Sequence, residues 1–296
     1  VDYRGRLDQD RTDPTLDLDL NDVSYWAAVE EILDQAELTL YAYTNIPNTL
    51  GLASRPPGLS TPPPVSTSDL FRVQVIRLSA HRDLRDSGAQ SMVASLEVTW
   101  EPRVAPLVVH QAPDAVEATG DDGRTFTLIA EYGVGDARVQ EGIGAVELEL
   151  PFELPPRSVQ RIATLEGTLR AQIPTEHKEF TFDDLENAKD VVKREASISV
   201  VLEKVNKNRD LHEFRVLLRL EDAAEELKMQ QGWIYGNAAY LVDPNGKRVD
   251  YAGLETFRST PEEIGLSYKF EVKDGLAGFQ FVYASPSNIE TIPVKY

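Results

Sequence analysis

The sequence predicts a mostly β protein in which two tandem β-sandwiches follow a small α/β unit. The first observation behind this prediction is a repeat: FRVQVIRLSAHRDLRD (71–86) returns without a gap as ISVVLEKVNKNRDLHE (198–213). In both copies apolar residues alternate with polar ones, and the run enters the same Arg-Asp-Leu corner, as a strand does at a turn. The second observation is a series of short alternating runs separated by Asp-Gly and Asn-Gly, which favour β-hairpins.

Length and composition narrow the classes of protein. At 296 residues the chain is long enough for two or three domains. Its net charge of −19, from 49 acidic and 30 basic residues, repels nucleic-acid phosphates and anionic membranes. The absence of cysteine excludes disulfides, thiolate nucleophiles and cysteine-based zinc sites. No apolar run reaches the roughly 18 residues of a membrane span. We therefore predict neither nucleic-acid binding nor membrane insertion.

Residues 1–54 predict the small α/β unit, with a βαβ order. TLDLDL (15–20) alternates strictly and is predicted as the first strand, with its leucines on one face and Asp17 and Asp19 on the other. Two functional interpretations of this acidic face are a weak Ca²⁺ site and a docking face for a basic partner. We favour a third, a solvated face that prevents edge pairing, and predict no metal site.

A helix over about residues 24–36 follows, with Asp22 or Ser24 as its N-cap. Its apolar residues recur at spacings of three and four and form one buried stripe: Trp26, Val29, Ile32, Leu33 and Ala36. LTLYAY (38–43) is predicted as the second strand and LGLAS (50–54) as a third. A leucine-faced sheet covered by one amphipathic helix gives this unit a minimal core.

The segment LDLDLNDVSYWAAVEEILDQAELTLYAY (16–43) resembles the short N-terminal domain that precedes secretin and TonB-dependent outer-membrane channels. The shared features are a strand, an Asp-Val pair, a helix with paired apolar residues and a second strand that begins with leucine. The resemblance implies a βαβ fold, an extracytoplasmic location and a role in protein contacts. No channel or plug follows in this sequence, so nothing about transport is carried over.

RPPGLSTPPPVSTS (55–68) is predicted as a linker, because five prolines and five Ser/Thr residues favour an extended chain and cannot build a core. We expect it to hold the α/β unit at a distance from the rest. The remaining chain is predicted as β-sandwich 1 over residues 69–186 and β-sandwich 2 over 187–296. One or two helical turns are expected in the connection DLENAKDVVK (184–193).

Each sandwich is predicted from six to eight short strands in about 110 residues, which is typical of the immunoglobulin-like kind. Equivalent positions lie about 127 residues apart at the Arg-Asp-Leu corner and about 123 apart at the Asp-Gly and Asn-Gly turns. The two-sandwich layout resembles uncharacterised secreted bacterial proteins, and that resemblance implies no activity. The chain begins at Val1, and the second copy stops at Tyr296 where the first continues, so we expect the gene to extend beyond both ends.

No motif predicts an enzyme. The four histidines are scattered, and neither a G-x-S-x-G elbow nor a phosphate-binding glycine motif is present. We therefore predict a protein without enzymatic activity and without a cofactor. A hydrolase with a carboxylate pair stays open as an alternative, because 49 acids make such a pair compatible with the composition.

GWIYGNAAY (232–240) contains the candidate ligand-binding residues Trp233, Tyr235, Asn237 and Tyr240. Strand alternation would place Trp233 and Tyr235 on one face, where the rings could stack on a sugar while Asn237 supplies a hydrogen bond. The competing interpretation, which we favour, is that Trp233 fills the sandwich core.

The function that the sequence favours is a non-enzymatic extracytoplasmic protein, in the periplasm or at the cell surface, with a role in protein–protein interaction or scaffolding. Its expected partner is another protein. The alternative from a different class is a carbohydrate-binding module, with a glycan bound by the aromatic residues of the second sandwich. The hydrolase alternative needs a cleft in which two carboxyl groups lie about 5–10 Å apart and one has a shifted pKa.

Overall fold

The computed structural model describes residues 15–56, 63–85, 90–129, 135–140, 142–220, 224–273 and 275–296. The predicted mostly β fold is confirmed: antiparallel strands dominate the described residues. The chain divides into two compact units. The first is formed by the chain up to Ala171 together with Ile292–Tyr296, and the second by Gln172–Thr291. The immunoglobulin-like arrangement of the strands stays a prediction.

Within the described residues the helices are α1 (Tyr25–Gln35), α2 (Glu225–Met229) and a 3₁₀ helix, Gln231–Gly236. The first nine strands are β1 (Leu38–Tyr41), β2 (Gly51–Ser54), β3 (Val65–Ser68), β4 (Phe71–Arg82), β5 (Gln90–Trp100), β6 (Val108–Gly120), β7 (Thr125–Phe126), β8 (Asp136–Arg138) and β9 (Ala145–Phe152). The next nine are β10 (Ile162–Phe182), β11 (Lys189–Glu195), β12 (Ile198–Asn208), β13 (Leu211–Leu220), β14 (Ala239–Val242), β15 (Arg248–Asp250), β16 (Gly253–Ser259), β17 (Glu263–Glu271) and β18 (Gln280–Lys295).

The first unit is built on an antiparallel sheet with the order β3-β4-β5-β9. Alternation along its strands turns one face towards the core, since side chains at every second position share a face. That face carries fully buried apolar side chains, among them Phe71, Leu96, Val98, Leu150 and Phe152. In the same unit β6 pairs with β7 and β8.

The N-terminal segment packs against this sheet, which corrects the expectation that the linker holds it at a distance. The guanidinium of Arg72 on β4 is buried and forms an ion pair with Glu30 of α1. The backbone N–H of Gly144 donates to the carbonyl of Ala42 at 2.9 Å. Helix α1 therefore contacts the polar outer face of the sheet. The proline-rich composition of residues 55–68 did not predict this contact. Residues 57–62 of that linker lie outside the described residues.

The βαβ order is also corrected. Helix α1 begins after Ser24, whose Oγ accepts from the N–H of Ala27, as predicted for an N-cap. Residues 15–20, however, form no strand, and β1 and β2 form an antiparallel hairpin after the helix. Leu16 and Leu18 are half-buried and Asp17 and Asp19 are exposed, but no described strand supplies backbone hydrogen bonds to this segment.

The second unit is built on an antiparallel sheet with the order β11-β12-β13-β17-β16. Its buried core contains a cluster of aromatic rings. The Phe214 and Phe281 ring centroids lie 5.0 Å apart, and those of Phe214 and Phe270 lie 5.2 Å apart in an edge-on arrangement. Strand β14 pairs with β15 and with β18.

The two copies of the repeat adopt the same local structure. Each is a hairpin, β4–β5 in the first unit and β12–β13 in the second, and the Arg-Asp-Leu corner follows its first strand. Each first strand carries a bulge at the equivalent position, Ile76 in one copy and Glu203 in the other, where the register shifts by one residue. The predicted Asp-Gly and Asn-Gly turns also match, since Gly123 and Gly246 both have a φ of +80°.

The sequence placed the boundary between the sandwiches at residue 186, whereas the contacts divide the chain after Ala171. Strand β10 runs without interruption from Ile162 to Phe182. The helical turns expected at 184–193 are absent: a hydrogen bond from Asn187 N–H to Asp184 C=O closes a turn, and β11 begins at Lys189. Two adjacent β-branched valines, Val191 and Val192, favour the strand.

Candidate functional site

The four residues predicted to bind a ligand lie in different surroundings. Residues 231–236 form a 3₁₀ helix instead of a strand, so Trp233 and Tyr235 do not share a face. Trp233 is only 9% exposed, whereas Tyr235 is 42% exposed and its hydroxyl lies 3.1 Å from Thr256 Oγ1. Between the glycines at 232 and 236, the neighbouring side chains of Trp233 and Ile234 are both buried. In a strand with one covered face, neighbouring side chains point to opposite faces and only one of them would be buried.

Asn237 points into the second unit. Its side-chain amide donates to the Tyr283 hydroxyl at 3.0 Å and to Ser285 Oγ at 3.1 Å. Burial raises the pKa of Tyr283 to about 12. Tyr240 donates to Glu179 Oε1 at 2.9 Å, and the guanidinium of Arg248 lies 4.3 Å from its ring centroid. These contacts stabilise the unit and leave no pair of exposed rings for a sugar.

A carboxylate pair does occur, on the outer face of the first sheet. Glu97 on β5 and Glu147 on β9 stand directly opposite each other, so their Cβ atoms are about 5 Å apart. Burial raises the pKa of Glu97, while a hydrogen bond from Tyr43 and the charge of Arg72 act against that rise. Burial and the two carboxylates also raise the pKa of Tyr43 far above its usual value.

Tyr43 occupies the space that a substrate would need between these acids. Its hydroxyl donates to Glu147 Oε1 at 3.2 Å and also contacts Glu97. The pair therefore anchors the chain that follows β1 to the sheet. Sequence reasoning missed this pair, because two of 49 acids at unremarkable positions meet only through the pairing of β5 with β9.

The predicted acidic face of residues 15–20 is exposed. The backbone of Asp17 is held by the side chain of Gln35, with hydrogen bonds of 2.9 and 2.7 Å, and Asp19 accepts from Asn21. Over the part of the chain that the structure describes, no group of three or more His, Asp or Glu side chains could hold a metal ion.

Two cavities lie in the second unit, with volumes of about 560 and 500 Å³. Carboxylates line the larger one, but neighbours already occupy them. Asp183 accepts from Gln280 at 2.7 Å, and Asp243 accepts the N–H groups of Asn245 and Lys247 at 2.8 Å. These hydrogen bonds stabilise loops and turns, so the carboxylates of Asp183 and Asp243 already have partners within the protein.

The surface with the strongest capacity for binding is an edge of the first sheet. Strand β3 pairs with β4 only as far as Gln74, and a last backbone bond joins Val75 N–H to Pro64 C=O at 3.1 Å. The bulge residue Ile76 has no partner on β5, and Arg77–Arg82 pair with β5, so that Ile76–Arg82 have no described strand on their other side. We call this segment the open edge of β4. Alternate backbone N–H and C=O groups along such an edge point away from the sheet.

All seven residues of the open edge are exposed, although they belong to a regular strand. Leu78 and Ala80 pair with the buried Ala94 and Met92 and therefore lie on the core side of the sheet. Leu78 is nevertheless 54% exposed, and no described strand lies beyond β4 at this position. The apolar face of the sheet is therefore exposed to solvent at this edge.

The other face of the open edge carries the basic side chains of Arg77 and His81. Arg77 donates to Ser95 Oγ at 3.2 Å and lies 3.7 Å from a carboxylate oxygen of Glu149. His81 is two strand positions further on, which is four residues along the chain, and Arg82 ends the strand. The segment contains no carboxylate, within a chain whose net charge is −19. An acidic partner is therefore attracted to this edge.

The equivalent edge in the second unit is better protected. Strand β11 has seven residues against four in β3, and its pairing with β12 extends to Lys204, one position beyond the bulge. Val205, the counterpart of Leu78, is half-buried, whereas Leu78 is exposed, and lysine and asparagine residues follow Val205. The sequence repeat predicted both strands but not this difference, because the length of the flanking strand decides it.

Comparison of the sequence with models of protein families and with curated proteins finds no match. None of the helices in the described ranges is long and apolar enough to cross a bilayer. The fold and its exposed edge are therefore the basis for a functional conclusion.

Proposed function

We propose that this protein is a non-enzymatic protein-binding or scaffolding protein that acts outside the cytoplasm, and that its contact surface is the open edge of β4. The observation that carries the proposal is the run of seven exposed strand residues with an unpaired backbone edge and an exposed Leu78. An extended segment that adds to such an edge gains backbone hydrogen bonds and buries apolar side chains at alternate positions.

The edge also sets the chemistry of the partner. An added strand would place every second side chain against Leu78 and Ala80 and the others beside Arg77 and His81. Apolar residues suit the first set of positions and carboxylates suit the second. The extracytoplasmic location is supported by the resemblance of residues 16–43 to an envelope-protein domain.

The experiment compares three tagged proteins in a pull-down from the envelope fraction of the native host. These are the wild type, Leu78→Lys at the open edge, and Val192→Lys on β11, where the valine is 56% exposed and so matches Leu78. A charged lysine at an edge opposes strand addition. We expect the wild type and Val192→Lys to retain the same protein and Leu78→Lys to lose it.

Retention of an identical set of proteins by all three would overturn the contact surface, and retention of none would overturn the proposed function. Fractionation of the host gives a separate test of location, and recovery of the full-length product in the cytosol would contradict it. A glycan array covers the carbohydrate alternative, because selective retention of a glycan without any protein partner would reverse the preference.

A further inference from the structure

We propose that the open edge of β4 binds residues 15–20 of a second copy of the chain, so that the protein assembles with itself. This inference rests on the proposed function and names its partner. It combines two observations on the first unit: a strand edge that pairs with no described strand on its outer side, and a segment that has the pattern of a strand but belongs to no described sheet.

Residues 15–20 have the composition of a strand and none of its bonds. Their leucines and aspartates alternate strictly, yet no described strand pairs with them. The hydrogen bonds that the structure gives to this backbone come from one side chain, that of Gln35, which contacts Asp17 alone. Few bonds have to be broken for the segment to move to a sheet edge.

The segment and the edge are complementary in length, shape and charge. Six residues of a strand span about 20 Å, which matches the seven residues of the open edge. Alternation would place Leu16 and Leu18 against Leu78 and Ala80. It would place Asp17 and Asp19 on the face of Arg77 and His81, where the guanidinium of Arg77 attracts carboxylates.

A second copy is the expected donor because the same chain does not make this contact. Its own segment is bonded to Gln35 and leads after four residues into α1, which Arg72 holds through Glu30. The donor segment and the acceptor edge are different surfaces. Association is therefore head to tail and produces chains or rings instead of a symmetric dimer.

The experiment measures mass by sedimentation velocity from about 1 μM to about 1 mM, the range of weak to moderate affinities. The buffer has physiological ionic strength, at which repulsion between acidic copies is screened beyond about 8 Å. Four full-length proteins are compared: the wild type, the donor variant Leu16→Ser with Leu18→Ser, the acceptor variant Leu78→Lys, and the control Val192→Lys. Thermal unfolding verifies that each is folded.

We expect the wild type and Val192→Lys to form species larger than a dimer as concentration rises, and each of the other variants to stay monomeric. An equimolar mixture of the donor and acceptor variants should form a 1:1 dimer and nothing larger, because it contains one intact donor and one intact acceptor. A peptide of residues 13–22 should dissociate the wild-type assembly.

A wild type that stays monomeric throughout the range would overturn the inference, as would a mixture of the two variants that fails to associate. The two proposals fail separately. If the wild type is monomeric while Leu78→Lys still loses an envelope partner, self-assembly is wrong and the protein-binding function stands. If Leu78→Lys changes neither measurement, both are wrong.

Discussion

Asp69 and Ala196 share a left-handed backbone conformation, with φ values of 48° and 47°. They occupy equivalent positions in the two units. Asp69 lies directly after Ser68, which pairs with Phe71, and Ala196 lies directly after Glu195, which pairs with Ile198. Each therefore begins the two-residue turn that leads into the first strand of the repeated hairpin. Both copies have the same backbone conformation at this position although their side chains differ. The side chain decides the energetic cost of that conformation.

We predict that Ala196→Gly stabilises the second unit by about 0.5–1 kcal/mol. Alanine in the left-handed region carries a steric cost of about 1–2 kcal/mol, which glycine relieves, and the greater freedom of glycine in the unfolded chain offsets part of the gain. Asp69→Gly is the matched control. Aspartate tolerates this conformation, so its replacement should change stability little. Urea unfolding checks both, and a loss of stability in Ala196→Gly would contradict the turn geometry.

A second prediction concerns Glu97. Its pKa is raised in the folded state, chiefly by burial, so the folded protein holds this proton more tightly than the unfolded chain does. The contribution of Glu97 to stability therefore falls as pH rises from the ordinary carboxyl pKa through the raised value, and stays low above it. Glu97→Gln removes this dependence and should be more stable than the wild type at neutral pH, by about 1 kcal/mol.

The measurement is the free energy of unfolding of both proteins between about pH 4 and pH 8. The gap between them should widen as pH rises. Glu149→Gln serves as the control, because Glu149 is exposed and lies 3.7 Å from Arg77. A gap that does not vary with pH would show that Glu97 titrates normally.

A third prediction tests the attachment of the N-terminal helix. Arg72→Ala removes a buried guanidinium that pairs with Glu30 and donates to Gln74 Oε1 at 2.6 Å. We expect a loss of about 2 kcal/mol, since one partner of a largely buried pair is left alone. Hydrogen exchange of the α1 amides should accelerate at least tenfold. Arg77→Ala, which removes an exposed arginine, should leave α1 protected. Equal exchange in both variants would mean that the helix is held without Arg72.

A fourth prediction separates the roles of the former sugar-binding candidates. Asn237→Ala removes one hydrogen-bond donor from each of the buried hydroxyls of Tyr283 and Ser285 and should cost about 1–3 kcal/mol. Tyr235→Ala removes an exposed ring and should change the free energy of unfolding by less than about 0.5 kcal/mol. Denaturant unfolding measures both. Comparable losses would mean that Tyr235 contributes to the core.

The sequence predicted those features that depend on neighbouring residues along the chain. The alternation at 71–86 and 198–213, the two turn glycines and the Ser24 cap are local, and each is confirmed in the structure. Residues 15–20 were predicted as a strand and residues 233–235 as alternating like one, and neither is a strand. A strand needs a partner that its own sequence does not reveal, and in 231–236 the burial of Trp233 and Ile234 together outweighs alternation.

The candidate site could be predicted only in part. The sequence repeat predicted strand β4. The exposure of Leu78, however, depends on the short length of β3, and Glu97 lies beside Glu147 only because β5 pairs with β9. The charge pattern of Asp17 and Asp19 was visible in the sequence, and a basic partner was among its interpretations. The position of Arg77 and His81 on an unpaired edge required the structure.

Tyr296 determines the order in which the first unit is completed. Its backbone exchanges two hydrogen bonds of 3.0 Å with Gly167, and its hydroxyl donates to Gln111 at 2.8 Å. During synthesis, all of Gln172–Thr291 leaves the ribosome before these bonds can form. The unit whose chain emerges first is thus finished last, and a nascent chain stalled before Ile292 would expose the unfinished flank of β10 to chaperones and proteases.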